Sequence, residues 1–313
     1  MGEVILFGEP MALLTAETTG PLEEIEHFTR SMSGAEVNVA IGLTRLGHKA
    51  HYLTRVGDDP FGHYIRKAMQ ANGIDTDLVT FDPVYRTGIQ LKNRVDDGSD
   101  PYAPYYRKGS AASRIAPEDV AQLDLDGIDL IHVTGIPPAL SQSAREATFA
   151  LMKKAKEQGI FVTFDPNLRP ALWESEDAMI ETINALASMA DVVLPGREEC
   201  RILTGTDNVD KAADFYHRLG VPTVIIKDGG KGAWICTDKG TTLVEGFPVK
   251  EVVDTVGAGD GFASGVISGI LEGLPLKEAV ARGNAIGAIQ VMTPGDNEGL
   301  PDRETLQKFM NQE

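Results

Sequence analysis

A chain of 313 residues, 42% hydrophobic and 6% aromatic, can bury one large core, or a core with a small appended unit. Its 29 Lys and Arg stand against 46 Asp and Glu, and the net charge of −17 argues against nucleic acid or an anionic membrane as the main partner. Any anionic substrate must then be caught by a few local arginines and backbone amides. Cys200 and Cys236 are too few for a disulfide framework and show no metal-type spacing, and no asparagine sits in an N-x-Ser/Thr sequon.

From the N-terminus, MGEVILFGEPMALL is apolar but carries Glu3 and Glu9 and no basic leader, so it fails as a signal peptide. It reads as a buried first strand, Val4–Phe7, ending at Gly8. Further strands are predicted at Ala50–Arg55, Leu130–Val133, Phe161–Phe164, Val192–Leu194 and Thr223–Ile226, bounded by glycine, proline or aspartate. Between them lie helical patterns at Ala35–Leu46, Phe61–Asn72, Ser143–Gln158, Ala178–Met189 and Lys211–Leu219. Gly47, Gly73, Gly159 and Gly220 stand where left-handed C-caps are expected. In RVGDDPFG, Asp58 or Asp59 is expected to cap the next helix, with Pro60 in its first turn. This alternation predicts an α/β fold with a mostly parallel sheet and helices on both faces. Ligands of such sheets bind outside the C-terminal strand ends.

Two segments, 11–33 and 86–113, lack a helical period. The second alternates as TGIQLKNRV, then a DDGSDPYAP turn, then YYRKGS, which predicts a hairpin or meander. No apolar run approaches the ~18 to 20 residues needed to span a bilayer. A soluble cytoplasmic protein is the default expectation.

Near the C-terminus, DTVGAGDGFASGVISGILEG (254–273) opens with the turn Gly257-Ala258-Gly259 and runs into a helix whose first charged residue is Asp260. Glycines bring backbone N–H groups close to a ligand, and a helix N-terminus adds partial positive charge. A carboxylate there makes sense if Asp260 takes a proton from a hydroxyl attacking a phosphoryl group held by those amides. A glycine turn with Asp260 merely stabilising the first helical turn is the equal alternative for a bare GAGD. Gly261, Gly265, Ser268 and Gly269 share one helix face, each glycine costing about 1 kcal/mol against alanine, which points to close approach by a backbone or ligand. There is no G-x-x-x-x-G-K-[S/T], no complete dinucleotide fingerprint and no G-x-S-x-G. The six histidines lack ligand spacing, and His132 in LIHV reads as a core or strand-end residue.

DTVGAGDGFASG resembles the C-terminal signature of the ribokinase-like (PfkB) carbohydrate kinases, and SGAEVNVAIGLTRLG (33–47) resembles their first signature. The likeness extends over nearly the whole chain. It implies a single ribokinase-like domain over 1–313, a three-layer sandwich with a small β-sheet lid formed from about 11–33 and 86–113. It also implies ATP and Mg²⁺, with Asp260 as base and the Gly257, Ala258 and Gly259 amides holding the transferred phosphoryl group. Gly34 and Asn38 are implied to contact sugar hydroxyls. Lys227, Gly229 and Gly232 in VIIKDGGKGAW would line the nucleotide, and Asn284 would flank adenine. Glu199 takes the glutamate position of an N-x-x-E motif tied indirectly to the Mg²⁺ and phosphate network, although Gly196 replaces its asparagine. Asp254 is implied in the K⁺ site that some relatives possess. The lid often forms a dimer contact in this family, so a homodimer or higher homo-oligomer is expected, with Tyr102, Tyr105 and the apolar positions of 89–95 partly buried by a second sheet or a partner subunit.

Neutral-sugar members commonly carry an aspartate shortly after the first-strand glycine, where Leu13 stands here. Arg107 with Tyr105 in YYRKGSAAS, and Arg169 in DPNLRPALW, instead suit a substrate carboxylate, because a guanidinium can bind one bidentately. GAEVNVA, YYRKGSA, DPNLR and GDNEG together resemble the 2-keto-3-deoxygluconate kinases within the family. That likeness implies phosphorylation to the 6-phosphate, with Asp296 near the substrate. Gln90 stands where many of those kinases have tyrosine. A fructokinase or other neutral-sugar kinase is the alternative, and a catalytically dead sugar-binding member the reading from a different class.

Overall fold

The computed structural model describes residues 1–95 and 101–311; the first part of the predicted DDGSDPYAP turn, 96–100, lies outside the described residues. Nine strands build one sheet: β1 (Glu3–Phe7), β4 (Lys49–Gly57), β5 (Val79–Asp82), β8 (Leu130–Thr134), β9 (Phe161–Asp165), β10 (Val192–Val193), β11 (Thr223–Lys227), β12 (Gly232–Thr237) and β13 (Gly240–Glu245). Their order is β13-β12-β11-β10-β9-β8-β1-β4-β5, parallel from β11 through β5, with β12 and β13 added antiparallel at one edge. That antiparallel edge and β5 were not foreseen; the predicted strands and helices match observed ones to within two residues at each end. Gly47, Gly73, Gly159 and Gly220 have φ of 81°, 75°, 71° and 93°, as the C-cap expectation requires.

Alternation along β1 shows why both faces need cover. Val4 and Leu6 enter one apolar cluster with the helices Ala35–Arg45, Pro60–Ala71, Ala258–Leu271 and Leu276–Val291, while Ile5 and Phe7 enter another with Gln142–Glu157, Glu176–Ala187 and Val209–Arg218. The result is a three-layer α/β/α sandwich. His132 lies in this interior, fully buried, with Nδ1 beside the Thr163 hydroxyl at 2.9 Å and its pKa depressed to about 3 by desolvation, so it is neutral. Cys200 and Cys236 are both buried and unbonded, and burial pushes their thiols up to about 12 and about 11. No helix among the described residues is long and apolar enough to cross a membrane.

The two aperiodic segments form a second sheet, β3-β2-β6-β7, from β2 (Met11–Thr19), β3 (Phe28–Ser33), β6 (Ile89–Arg94) and β7 (Tyr105–Tyr106). β6 and β7 pair antiparallel as a hairpin, and β2 joins them by a parallel pairing with β6. Asp59 anchors this sheet to the body: its carboxylate caps Pro60–Ala71 through Phe61 and Gly62 N–H and also accepts from the N–H and hydroxyl of Thr87. The second sheet leaves Tyr102, Tyr105 and Tyr106 at 66%, 46% and 63% exposure, so the expected burial of Tyr102 and Tyr105 is not met within one chain.

The glycines of Ala258–Leu271 meet a backbone. A Cβ at Gly265 would lie 2.7 Å from Gly283 Cα, and one at Gly269 would lie 2.5 Å from Ala279 Cβ, both in Leu276–Val291. This contact sets the depth and tilt of the helix whose N-terminus reaches the site. Gly265→Val should therefore lower the unfolding free energy by about 1–3 kcal/mol through overpacking, measurable by urea denaturation. Unchanged stability would mean that the two helices can part without cost.

Candidate active site

The strand order reverses direction beside β1, and the crevice outside the C-terminal ends of the parallel strands is where a ligand of such a sheet binds. A cavity of about 500 Å³ opens there, walled by residues following β1, β9 and β11, by the N-terminus of Ala258–Leu271, and by Gln90, Lys92 and Tyr105 of the small sheet. It gathers most of the candidate residues.

Gly257, with φ of 76°, is the N-cap of Ala258–Leu271, so Ala258, Gly259 and Asp260 form its first turn rather than a loop before it. The first amides of a helix have no carbonyl within it to bond. A Cβ at Gly257 would collide with the carbonyl oxygen of Asp296, so only glycine lets the turn seat against that loop. Asp260 Oδ2 accepts from Asn38 Nδ2 at 2.8 Å, and Asn38 Oδ1 in turn accepts from Asn297 at 3.1 Å. One donor and one acceptor position of the Asn38 amide are thus engaged in holding Asp260, and the side chain, which lines the cavity, keeps a second of each. Desolvation raises the Asp260 pKa from 3.8 to about 6, against the bond from Asn38; neighbouring Asp165 raises it further, while Arg169 and Lys227 lower it.

Lys227, at the end of β11, donates to Asp165 Oδ2 at 2.8 Å and lies 3.9 Å from where a Cβ on Gly259 would be. Burial alone would favour a neutral amine, but Asp165 and Glu199 hold it charged, above the usual lysine range. Glu199 is half-buried at the cavity wall. One of its oxygens accepts from Leu168 N–H at 2.9 Å and the other from Gly196 N–H at 2.7 Å, which ties two turns of the site together.

Arg107 is buried, and its Nε and Nη2 both reach Glu9 Oε2, at 2.6 and 2.5 Å. That edge of the guanidinium is taken, and Nη1 makes no hydrogen bond among the described residues. Arg169 is half-buried and, among the described residues, hydrogen-bonds only the carbonyls of Leu168 and Asn167, which keeps its charge available. Gln90 Oε1 accepts from Ser33 at 2.8 Å, leaving the NH₂ end for a ligand. Asp296 and Asp254 both meet Lys92 Nζ at 3.3 Å. Gly34 also lines the cavity.

Gly229, Gly232 and Asn284 lie outside it, around the β11–β13 edge. Asn284 donates to the carbonyls of Val244 and Glu245, and a Cβ on Gly232 would strike the Val244 carbonyl, so the close backbone approach there is made by β13.

Glu9, Glu36, Lys92, Asp165 and Asn167 are site residues that motif reading passed over. Glu9 and Asp165 had a signal, since each is a carboxylate at or just past the C-terminal end of a parallel strand. Asn167 had one too: it is the only non-glycine with positive φ (39°) among the described residues, and asparagine tolerates that conformation best. Glu36 is fully buried, accepts from the Thr134 hydroxyl, and is pushed up to about 7 by desolvation.

A proton acceptor beside a helix N-terminus and a buried ammonium, in a cavity walled on one side by a second small sheet, is the layout of a small-molecule kinase. The chain belongs to the PfkB family of carbohydrate kinases, whose sequence profile matches residues 1–303. It is 44% identical over 99% of its length to the 2-dehydro-3-deoxygluconokinase of Bacillus subtilis (strain 168), covering 95% of that protein. It is 35% identical over 99% to the enzyme of the same name from Thermoproteus tenax, covering 94%. Among solved structures it resembles a PfkB protein from Polaromonas sp. JS666 (TM-score 0.89, 44% identity, 98% and 99% of the two chains). It also resembles a Vibrio cholerae fructokinase bound to fructose, ADP and potassium (TM-score 0.87, 29% identity, 99% and 98%).

If Asp260 must be ionised to act, kcat/KM should fall about tenfold per pH unit below about pH 6, the pKa to which burial lifts it. Asp260→Asn should lower kcat by at least ~100-fold while ATP still binds. An acid limb near the ordinary value of 3.8, or a variant with half of wild-type turnover, would remove Asp260 as the base.

Proposed function

We propose that this chain phosphorylates 2-keto-3-deoxygluconate, also named 2-dehydro-3-deoxygluconate, on its 6-hydroxyl with ATP. The observation that carries this reading is the pair of guanidinium groups in the cavity, Arg107 and Arg169, facing a space that also contains Asp260. Asp260 takes the hydroxyl proton as that oxygen attacks the γ-phosphoryl group, and ADP leaves. The amides of Ala258, Gly259 and Asp260 and the Lys227 ammonium stabilise the charge on the transferring group. Arg169 and Arg107 Nη1 hold the substrate carboxylate, and the Gln90 NH₂ and Gly34 contact the rest of the sugar acid. Gly229, Gly232 and Asn284 form the nucleotide side, beyond Lys227.

Mg²⁺ arrives with the nucleotide and neutralises phosphate charge. Glu199 serves that network by fixing the Leu168 and Gly196 turns. We read residues 1–313 as one catalytic domain with the small sheet as its lid. The exposed tyrosines on that sheet make it the contact of a homodimer.

Arg107 is a poor place to test the carboxylate clamp, because truncating it leaves Glu9 buried and unpaired, a change that typically costs 3–5 kcal/mol in stability. Arg169 has no such partner. Arg169→Ala should lower kcat/KM for 2-keto-3-deoxygluconate roughly ten- to a hundred-fold, the worth of one charge-assisted bond to an anion, and leave residual fructose turnover nearly unchanged. Equal turnover of fructose and the keto-acid by the wild type would favour a neutral-sugar kinase instead. Light scattering at micromolar concentration should give about twice the chain mass; a clean monomer would sink the dimer.

A further inference from the structure

Asp254 and Asp296 bring two carboxylates to one ammonium at 16% and 10% side-chain exposure, and burial, with Asp254 beside it, raises the cost of ionising Asp296. Such a pair needs a cation. In this chain the cation is covalent: Lys92, from β6 of the small sheet, places Nζ 3.3 Å from Asp254 Oδ2 and 3.3 Å from Asp296 Oδ1, with its own side chain 11% exposed. Burial opposes that charge, and the two carboxylates more than offset the opposition, holding Lys92 above the usual lysine range. The lysine therefore stays ammonium at any working pH.

The groups it joins are those that shape the phosphoryl-holding turn. Asp254 Oδ1 accepts from Val256 N–H at 3.0 Å, one residue before the helix cap Gly257. Asp254 Oδ2 also accepts from Gly295 N–H at 3.3 Å, and the Asp296 carbonyl packs directly on the Gly257 α-carbon. One ammonium thus meets the approach to the turn, the loop that supports it, and the sheet that covers the cavity.

We propose that Lys92 is a built-in monovalent cation that positions the phosphoryl-holding turn and fastens the small sheet over it, so that this kinase works without K⁺ at Asp254. The inference rests on the kinase reading above, but not on the identity of the sugar. Ammonium and K⁺ are similar in size and charge, so removing the side chain leaves a two-carboxylate gap that a free cation can enter. Asp254, which resemblance alone assigns to a K⁺ site, has that place filled by its own chain.

The test uses the purified full-length protein in KCl, NH₄Cl, NaCl and tetramethylammonium chloride at matched ionic strength, with kinase activity and thermal unfolding read side by side. Wild-type kcat should agree within about twofold across the salts, and its unfolding temperature should not respond selectively to K⁺. Lys92→Met should lose about tenfold or more in kcat in tetramethylammonium chloride, the scale of losing charge-assisted bonds. It should recover in KCl or NH₄Cl, and its unfolding temperature should rise with those two ions alone, by mass action on a new site. Lys92→Arg, which keeps the charge, should remain cation-independent. A wild type stimulated fivefold or more by K⁺ over tetramethylammonium, or a Lys92→Met variant indifferent to cations in both readouts, would overturn the proposal. If Lys92→Met does not fold, the wild-type salt series and Lys92→Arg still decide it. Absence of any sugar-acid phosphorylation by the wild type would instead refute the assigned function, while the unfolding data continue to test the cation.

Discussion

Charge compensation within one cavity is the constraint on which the site depends. A protein with an excess of acidic residues has collected Glu9, Glu36, Asp165, Glu199, Asp260 and Asp296 around a space of about 500 Å³, with Asp254 joined to it through Lys92. Unpaired, these groups would repel one another and the phosphate they are to meet. Arg107 answers Glu9, Lys227 answers Asp165, and Lys92 answers Asp254 and Asp296. Four lining groups have no ion-pair partner among the described residues: Glu36 and Glu199, which accept hydrogen bonds from Thr134 and from the Leu168 and Gly196 amides, and Asp260 and Arg169. Asp260 is held only by amide donors, and Arg169 bonds only backbone carbonyls among the described residues. On the proposed reading these last two are the base and the anion binder that transfer of phosphate to a hydroxyl of an acid requires.

The scaffold makes this arrangement stiff. Each compensated pair links elements distant in sequence: Lys227 at the end of β11 to Asp165 at the end of β9, and Arg107 after β7 to Glu9 after β1. The glycine-lined contact between Ala258–Leu271 and Leu276–Val291 then leaves the helix bearing Asp260 little freedom to slide, since its backbone already lies against Gly283. A base that must meet a hydroxyl within hydrogen-bond range benefits from such fixed geometry.

Local pattern carried much of the fold. Short apolar runs ended by glycine, periodic helices and left-handed glycine caps made the layered sheet and its helices legible, and Asp59 with Pro60 announced a helix start. Pairing was harder to read. β12 and β13 extend the sheet antiparallel because Gly232 admits the Val244 carbonyl, a contact between residues whose own sequences show no strong strand period. At the site, GAGD and the arginines stood out by residue type. What type alone could not convey is whom a side chain answers. Asn38 has the chemistry for a sugar hydroxyl, yet it also bonds Asp260 and Asn297, and Asn284 donates to two carbonyls at β13. Lys92 was hidden for the opposite reason, since a lysine in an alternating strand reads as a solvated position until its strand is laid over two carboxylates.

The two native thiols have a practical consequence. Cys200 and Cys236 are buried among apolar neighbours, and burial keeps both protonated far above neutral pH, so neither offers the thiolate that alkylating reagents need. The protein is in effect cysteine-free toward such reagents while folded. A thiol introduced at an exposed position of the small sheet away from its tyrosines, as in Thr18→Cys on β2, would be the single fast-reacting sulfur in the chain. A fluorophore attached there would report any movement of that sheet without touching the proposed dimer contact.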